Sequence, residues 1–226
     1  MHKLLIVVLV SILIAANFSA TARAVEPKRE RIEWADIWVV NADKTDIPRV
    51  LMVGDSITKG YYDGVDRHLR GKAACARLAT SKCICDPAFL PEVKLLLDNY
   101  KFAVIHFNNG LHGYDYSNKQ YADAFAGLLK TFKKCAPKAK LIWANSTPTR
   151  KSSNLKEFNE GNNRVNERNL LAKRIMEKHN IPINDLNKIG AEHPEFYSSD
   201  GTHYNAKGKA AQAKQVADMI MKQLSE

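Results

Sequence analysis

Three residues in this sequence have the types and surroundings to run one proton relay: Ser56, Asp200 and His203. Ser56 closes the stretch Arg49-Val50-Leu51-Met52-Val53-Gly54-Asp55-Ser56. A short aliphatic run bounded by Pro48 and Gly54 reads as a buried strand. A serine just past such a strand, beside a glycine that permits a tight turn, stands where a nucleophile can face a crevice. A hydroxyl is a poor nucleophile at neutral pH and needs a base. Asp200-Gly201-Thr202-His203 could supply one from a single turn. Its imidazole would meet the hydroxyl while the carboxylate fixes the other ring nitrogen and stabilises the imidazolium. The chemistry is attack on a substrate carbonyl. Each motif alone has a plainer use, because Asp and Ser at these positions often do no more than cap the next helix.

The elements that must position these groups follow from the rest of the chain. Strands are predicted over 50–54, 73–79, 102–107, 141–144 and 181–186. Between them lie segments of helical spacing. Phe89, Leu90, Val93, Leu96 and Leu97 follow one such period, and Tyr121, Phe125, Leu128, Leu129 and Phe132 another. Further helices are expected after Ser56, over 164–180 and over 205–224. Residues 25–48 read as an ordered lead-in on the domain edge, and 149–162 as a polar surface loop. Strands alternating with helices imply an α/β fold with a parallel sheet covered on both faces. Ligands of such sheets bind beyond the strand carboxyl ends. Ser56, the Ser81 loop, the Asn108–Gly113 loop and the Asp200–His203 loop would all gather there.

Composition bounds the setting. The 226 residues, 45% hydrophobic, suit one globular domain over 25–226. Residues 1–24 are read apart, as a secretory signal peptide. Lys3 precedes an apolar run from Leu4 to Ala16, and Ala22-Arg23-Ala24 fits a small-x-small cleavage site. The run is short for a membrane span, so the expectation is a secreted or periplasmic protein with no stable span after cleavage. The net charge of +10 falls to +8 without Lys3 and Arg23. The basic residues are scattered without aromatic interleaving, so no nucleic-acid partner is expected. Cys75, Cys83, Cys85 and Cys135 allow disulfides or free thiols alike.

Taken together, Gly54-Asp55-Ser56 after the first strand, Asp200-Gly201-Thr202-His203 before the last helix, and the alternation between them resemble the SGNH (GDSL) hydrolase superfamily over the whole of 25–226. The resemblance implies a flavodoxin-like three-layer α/β/α sandwich, here with a five-stranded parallel sheet. It implies hydrolysis of esters, often acyl groups on carbohydrates or lipids, with no metal and no cofactor. It makes Ser56 the nucleophile, His203 the general base and Asp200 its orienting acid. The middle of the chain departs from the pattern. The superfamily places a glycine after its second strand, where this sequence has Leu78-Ala79-Thr80-Ser81-Lys82. It places Gly-x-Asn-Asp after the third, where this sequence has Asn108-Asn109-Gly110-Leu111-His112-Gly113. Ser81, Asn108, Gly110 and His112 are the candidate oxyanion-hole positions. The expected substrate is a small-molecule or glycan ester with a short acyl group such as acetyl. The alternatives are a lysophospholipase-like lipid esterase, or a non-catalytic glycan- or protein-binding module on the same fold.

Overall fold

A computed structural model describes residues 26–226. The expected signal peptide at 1–24 lies outside the described residues. The predicted first parallel strand is β2 (Arg49–Gly54), buried throughout. Successive side chains of a strand point to opposite faces. Val50 and Met52 therefore enter one core, and Leu51 and Val53 the other. A strand covered on both sides is uniformly apolar, which is how it reads in the sequence.

Numbering β1 (Ala35–Val39) first, the parallel strands are β2, β3 (Ala74–Thr80), β4 (Val104–Phe107), β5 (Lys140–Ala144) and β8 (Ile183–Asn184). They lie in the order β3-β2-β4-β5-β8, and β1 adds to β3 as an antiparallel edge. The lead-in expected at the domain edge is thus a sixth strand. Ile37 and Trp38 stay exposed on it, so it carries no alternating pattern to read. The chain reverses its direction of travel across the sheet at β2, which leaves a crevice above the ends of β2 and β4.

Helices α1 (Ser56–Leu69) and α6 (Ala206–Ser225) pack on one face. There Tyr61, Val65 and Leu69 meet Ala213, Val216 and Ile220. Helices α2 (Phe89–Asn99) and α3 (Asn118–Cys135) pack on the other, with the C-terminal half of α4 (Gly161–Lys178). The result is the three-layer sandwich. Two segments correct the sequence reading. Residues 149–162 are not simply a loop, for they hold a hairpin of β6 (Arg150–Lys151) and β7 (Asn154–Phe158). The buried Arg150 guanidinium fixes it by donating to the carbonyls of Leu155, Lys156, Gly190 and Ala191. The last pair belongs to a short helix, α5 (Leu186–Glu192), inside a stretch expected to be loop. Asp185 caps it by accepting the Lys188 N–H.

Candidate active site

Only Asp55 separates the end of β2 from the start of α1. A Cβ at position 54 would fall 2.0 Å from Thr58 Oγ1, so only glycine lets the chain turn this tightly into the helix. Asp55 caps α1, its Oδ1 accepting the Ile57 N–H at 2.9 Å. Capping and a nucleophile position are therefore compatible, with the cap at Asp55 and the hydroxyl one residue on. Ser56 occupies the first helical position, where the N–H has no intrahelical acceptor and the helix dipole is positive. Asp55 is fully buried. Burial pushes its carboxyl up, against the opposing pull of His112, the Ile57 N–H, His203 and the Thr58 N–H.

The partners arrive on the turn before α6. Gly201 has φ +71°, and a Cβ there would lie 2.2 Å from the Arg150 carbonyl oxygen. A side chain is excluded on both counts. Asp200 Oδ1 accepts the N–H groups of Thr202 and His203, each at 2.9 Å, which locks the turn. Asp200 Oδ2 lies 2.6 Å from His203 Nδ1. His203 Nε2 lies 2.8 Å from Ser56 Oγ. With Nδ1–H facing a carboxylate, Nε2 carries the lone pair and the serine hydroxyl donates to it. Burial acts to raise the Asp200 carboxyl, but the His203 ring and the two N–H groups outweigh it and hold it below the ordinary range. The side chains of His203 and Asp200 are 47% and 50% exposed, so the relay stands at an open rim.

The predicted oxyanion positions fare differently. Ser81 donates its N–H to the Trp34 carbonyl at 3.1 Å, and its hydroxyl accepts the Trp34 N–H at 2.9 Å. The neighbouring Lys82 N–H goes to Thr80 Oγ1. This corrects the expectation of a donor at Ser81, because the segment entering β1 consumes it. Asn108 gives Nδ2 to the Ala144 carbonyl at 2.7 Å and, at 3.4 Å, to Ser146 Oγ. Its N–H goes to Val53 O, which pins the loop beside the end of β2. Asn109 is spent too, bridging the Ile84 N–H and the Lys82 carbonyl. The Gly110 carbonyl accepts from Arg168 at 3.2 Å. His112 pairs through Nδ1 with Glu30 Oε2 at 2.9 Å, and Glu30 Oε1 accepts the Gly113 N–H at 2.9 Å. Among the described residues, His112 Nε2 has no partner.

Two residues that organise this loop were not singled out from the sequence. Arg168 is fully buried. Its guanidinium donates to the carbonyls of Gly110, His112, Gly113 and Tyr116 at 2.7–3.2 Å. Glu30 sits in the charged run Lys28-Arg29-Glu30-Arg31, which reads as solvated surface. No local pattern announces either, because their partners are more than 50 residues away. His106, on β4, is buried beneath the crevice with Nε2 accepting from Asn184 Nδ2 at 3.1 Å. Burial pushes its ring down to about 3, so it is neutral. The four cysteines are free thiols.

No family model and no curated protein matches the sequence. Solved structures do match. A carbohydrate esterase family 3 protein from Talaromyces cellulolyticus superposes with a TM-score of 0.63 at 14% identity, over 79% of this chain and 99% of the other. A carbohydrate acetylesterase from Sinorhizobium meliloti gives 0.62 at 14% identity, over 77% and 99%. A GDSL-like lipase from Bacteroides thetaiotaomicron gives 0.60 at 16% identity, over 77% and 88%. Among the described residues no helix is long and apolar enough to cross a membrane. The layered sheet, the turn that carries Ser56 and these superpositions agree: the chain has the fold of the SGNH/GDSL hydrolases.

Proposed function

We infer that the protein is a serine ester hydrolase, exported by the leader at 1–24, that releases short acyl groups such as acetyl from a carbohydrate or another polar alcohol. The observation that carries this reading is one unbroken chain of hydrogen bonds. It runs from Asp200 through His203 to Ser56, at 2.6 and 2.8 Å, above a sheet of the SGNH/GDSL kind.

Ser56 Oγ attacks the ester carbonyl while His203 Nε2 takes its proton. Asp200 stays ionised and stabilises the imidazolium through Nδ1. The carbonyl oxygen becomes an oxyanion and meets the Ser56 N–H at the positive end of α1. The second donor comes from the loop after β4. Asn108 has both amide hydrogens engaged, so the role falls to His112. Its Nδ1 pairs with Glu30, and Nε2 is the ring nitrogen left without a partner among the described residues. Collapse of the intermediate expels the alcohol, which takes the proton from His203. Water, deprotonated by His203, releases the acid from Ser56.

The engaged Asn108 amide, together with the N–H groups of Ser81 and Lys82 consumed within their own segment and by Trp34, favours the alternative, a non-catalytic module. A single comparison separates the two. Wild type is expected to hydrolyse p-nitrophenyl acetate with saturation kinetics, and Ser56→Ala to lose at least about 10³ of kcat. Equal rates from the two proteins would remove Ser56 from the chemistry.

A further inference from the structure

We propose that the chain carries a second ligand site, a groove at the amino end of the sheet, and that it takes an organic carboxylate joined to an apolar body. The groove is separate from the relay, so the proposal does not depend on the ester-hydrolase reading.

The place follows from the strand directions. β2, β4 and β5 run parallel, with the relay beyond the carboxyl end of β2. Arg49 opens β2, Phe102 leads into β4 and Lys138 leads into β5. All three line a groove of about 680 Å³. It continues into a hollow of about 410 Å³ that shares Tyr100, Lys101, Phe102 and Lys138 with it. Small-ligand sites span roughly 300–1,000 Å³. At about 3.3 Å per residue along β2, Arg49 lies about 20 Å from Ser56.

Arg49 is the group that calls for a ligand. It is 7% exposed, yet no carboxylate pairs with it among the described residues. Its Nη2 donates to the carbonyls of Asn41 and Lys44, at 2.6 and 3.2 Å. Its Nε is buried without a partner. Its Nη1 makes no hydrogen bond among the described residues and, unlike Nε, is not sealed from solvent. Holding the turn at Asn41 and Lys44 therefore uses only one end of the guanidinium. A buried charge is costly unless it is paired. Lys101 and Lys138 add two exposed cations to the lining, while the acids near the groove in sequence, Asp43 and Asp98, are held by Lys44 and Lys94. Asp46 is the one carboxylate on the lining, against three cations.

The floor decides what the anion is attached to. Phe102 is buried, and the Tyr100 ring lies 5.4 Å from the Arg49 guanidinium. A cationic ligand would be repelled by the three basic groups. A neutral apolar one would leave Arg49 uncompensated, and a bare inorganic anion would leave the aromatic floor wet. A carboxylate can lie in the plane of the guanidinium and accept charge-assisted hydrogen bonds from it, with its apolar body on the rings.

The test is titration calorimetry on the full-chain protein with three probes: octanoate, octanamide and acetate. Octanoate is expected to bind one site with a Kd of about 1 mM or below. Octanamide lacks the charge and acetate lacks the body, and each should bind at least about tenfold more weakly. Arg49→Met should weaken octanoate by about tenfold or more. Because Arg49 also holds a turn, a second variant carries the test if that one does not fold. It is Lys101→Met with Lys138→Met, both at exposed positions, and it should weaken octanoate about fivefold. Ser56→Ala should bind octanoate as wild type does. A folded wild type that does not bind octanoate, octanamide binding as tightly as octanoate, or a double variant unchanged from wild type overturns the proposal. Loss of octanoate binding in Ser56→Ala also overturns it, by placing the probe at the relay. Failure of wild type to hydrolyse p-nitrophenyl acetate would overturn the hydrolase reading alone and leave this site standing.

Discussion

Replacing Asp200 by Asn probes the relay without changing its shape. Asp200 Oδ1 accepts two backbone N–H groups, and Oδ2 accepts the His203 Nδ1–H. An asparagine must keep its one oxygen on the two N–H groups, because its NH₂ cannot accept them. That turns the NH₂ toward His203 Nδ1, which must then become the acceptor. The ring proton moves to Nε2, 2.8 Å from Ser56 Oγ, and the base is gone. In Ser-His-Asp hydrolases this wrong tautomer costs about 10⁴ in kcat. Here about half of the Asp200 and His203 side-chain surface meets water. Solvent can therefore rescue some rings in the right tautomer, and we expect a loss of about 10³. Asp200→Ala should lose less than Asp200→Asn, since water can enter the gap and accept from Nδ1–H. The assay is kcat on p-nitrophenyl acetate, with the melting temperature as a control for folding. An Asn variant within tenfold of wild type, correctly folded, would show that Asp200 does not set the tautomer.

Three further outcomes follow from the same geometry. His112→Ala is expected to lower kcat by about 10²–10³, the cost of one oxyanion donor. His112→Asn should recover most of it, since a side-chain amide also donates an N–H, and equal rates for Ala and Asn in kinetic assays would refute the role. Arg168→Met removes a buried guanidinium from four loop carbonyls. Each buried carbonyl left without a donor costs about 1–3 kcal/mol, so urea unfolding should show a loss of at least about 3 kcal/mol, and a loss under about 1 kcal/mol would contradict it. The neutral, buried His106 has a ring pKa depressed to about 3. The unfolded chain therefore takes up that proton first as the pH drops below roughly 6.5. Its contribution is complete above that pH and is lost toward pH 3, at up to about 1.4 kcal/mol per unit. His106→Gln should flatten the fall in stability between pH 6.5 and 5 by about 2 kcal/mol, and an unchanged slope in urea titrations would count against it.

What the sequence discloses divides along physical lines. β2 was legible because a strand buried on both faces must be apolar throughout, and Pro48 and Gly54 bound it. α3 was legible from Tyr121, Phe125, Leu128 and Phe132, all buried on one stripe. Ser56, Asp200 and His203 were legible as residue types in turns, and the turns need the glycines beside them. β1 was not legible, because Ile37 and Trp38 face solvent on an edge. The hairpin over 150–158 depends on Arg150 reaching carbonyls 40 residues away. The engagement of the Ser81 N–H is not legible for a related reason, because its acceptor, the Trp34 carbonyl, lies 47 residues off in the segment leading into β1. Glu30 and Arg168 act through loop atoms that lie 82 and 52–58 residues off in sequence.

The most direct test of the relay is covalent capture. A fluorophosphonate reacts with a serine only where a base activates it and donors stabilise the new oxyanion. Mass spectrometry of the folded protein after labelling should find one adduct, mapped to Ser56, and none in His203→Ala. No adduct on folded wild type, or one on any other residue, would contradict the assignment of Ser56, His203 and Asp200.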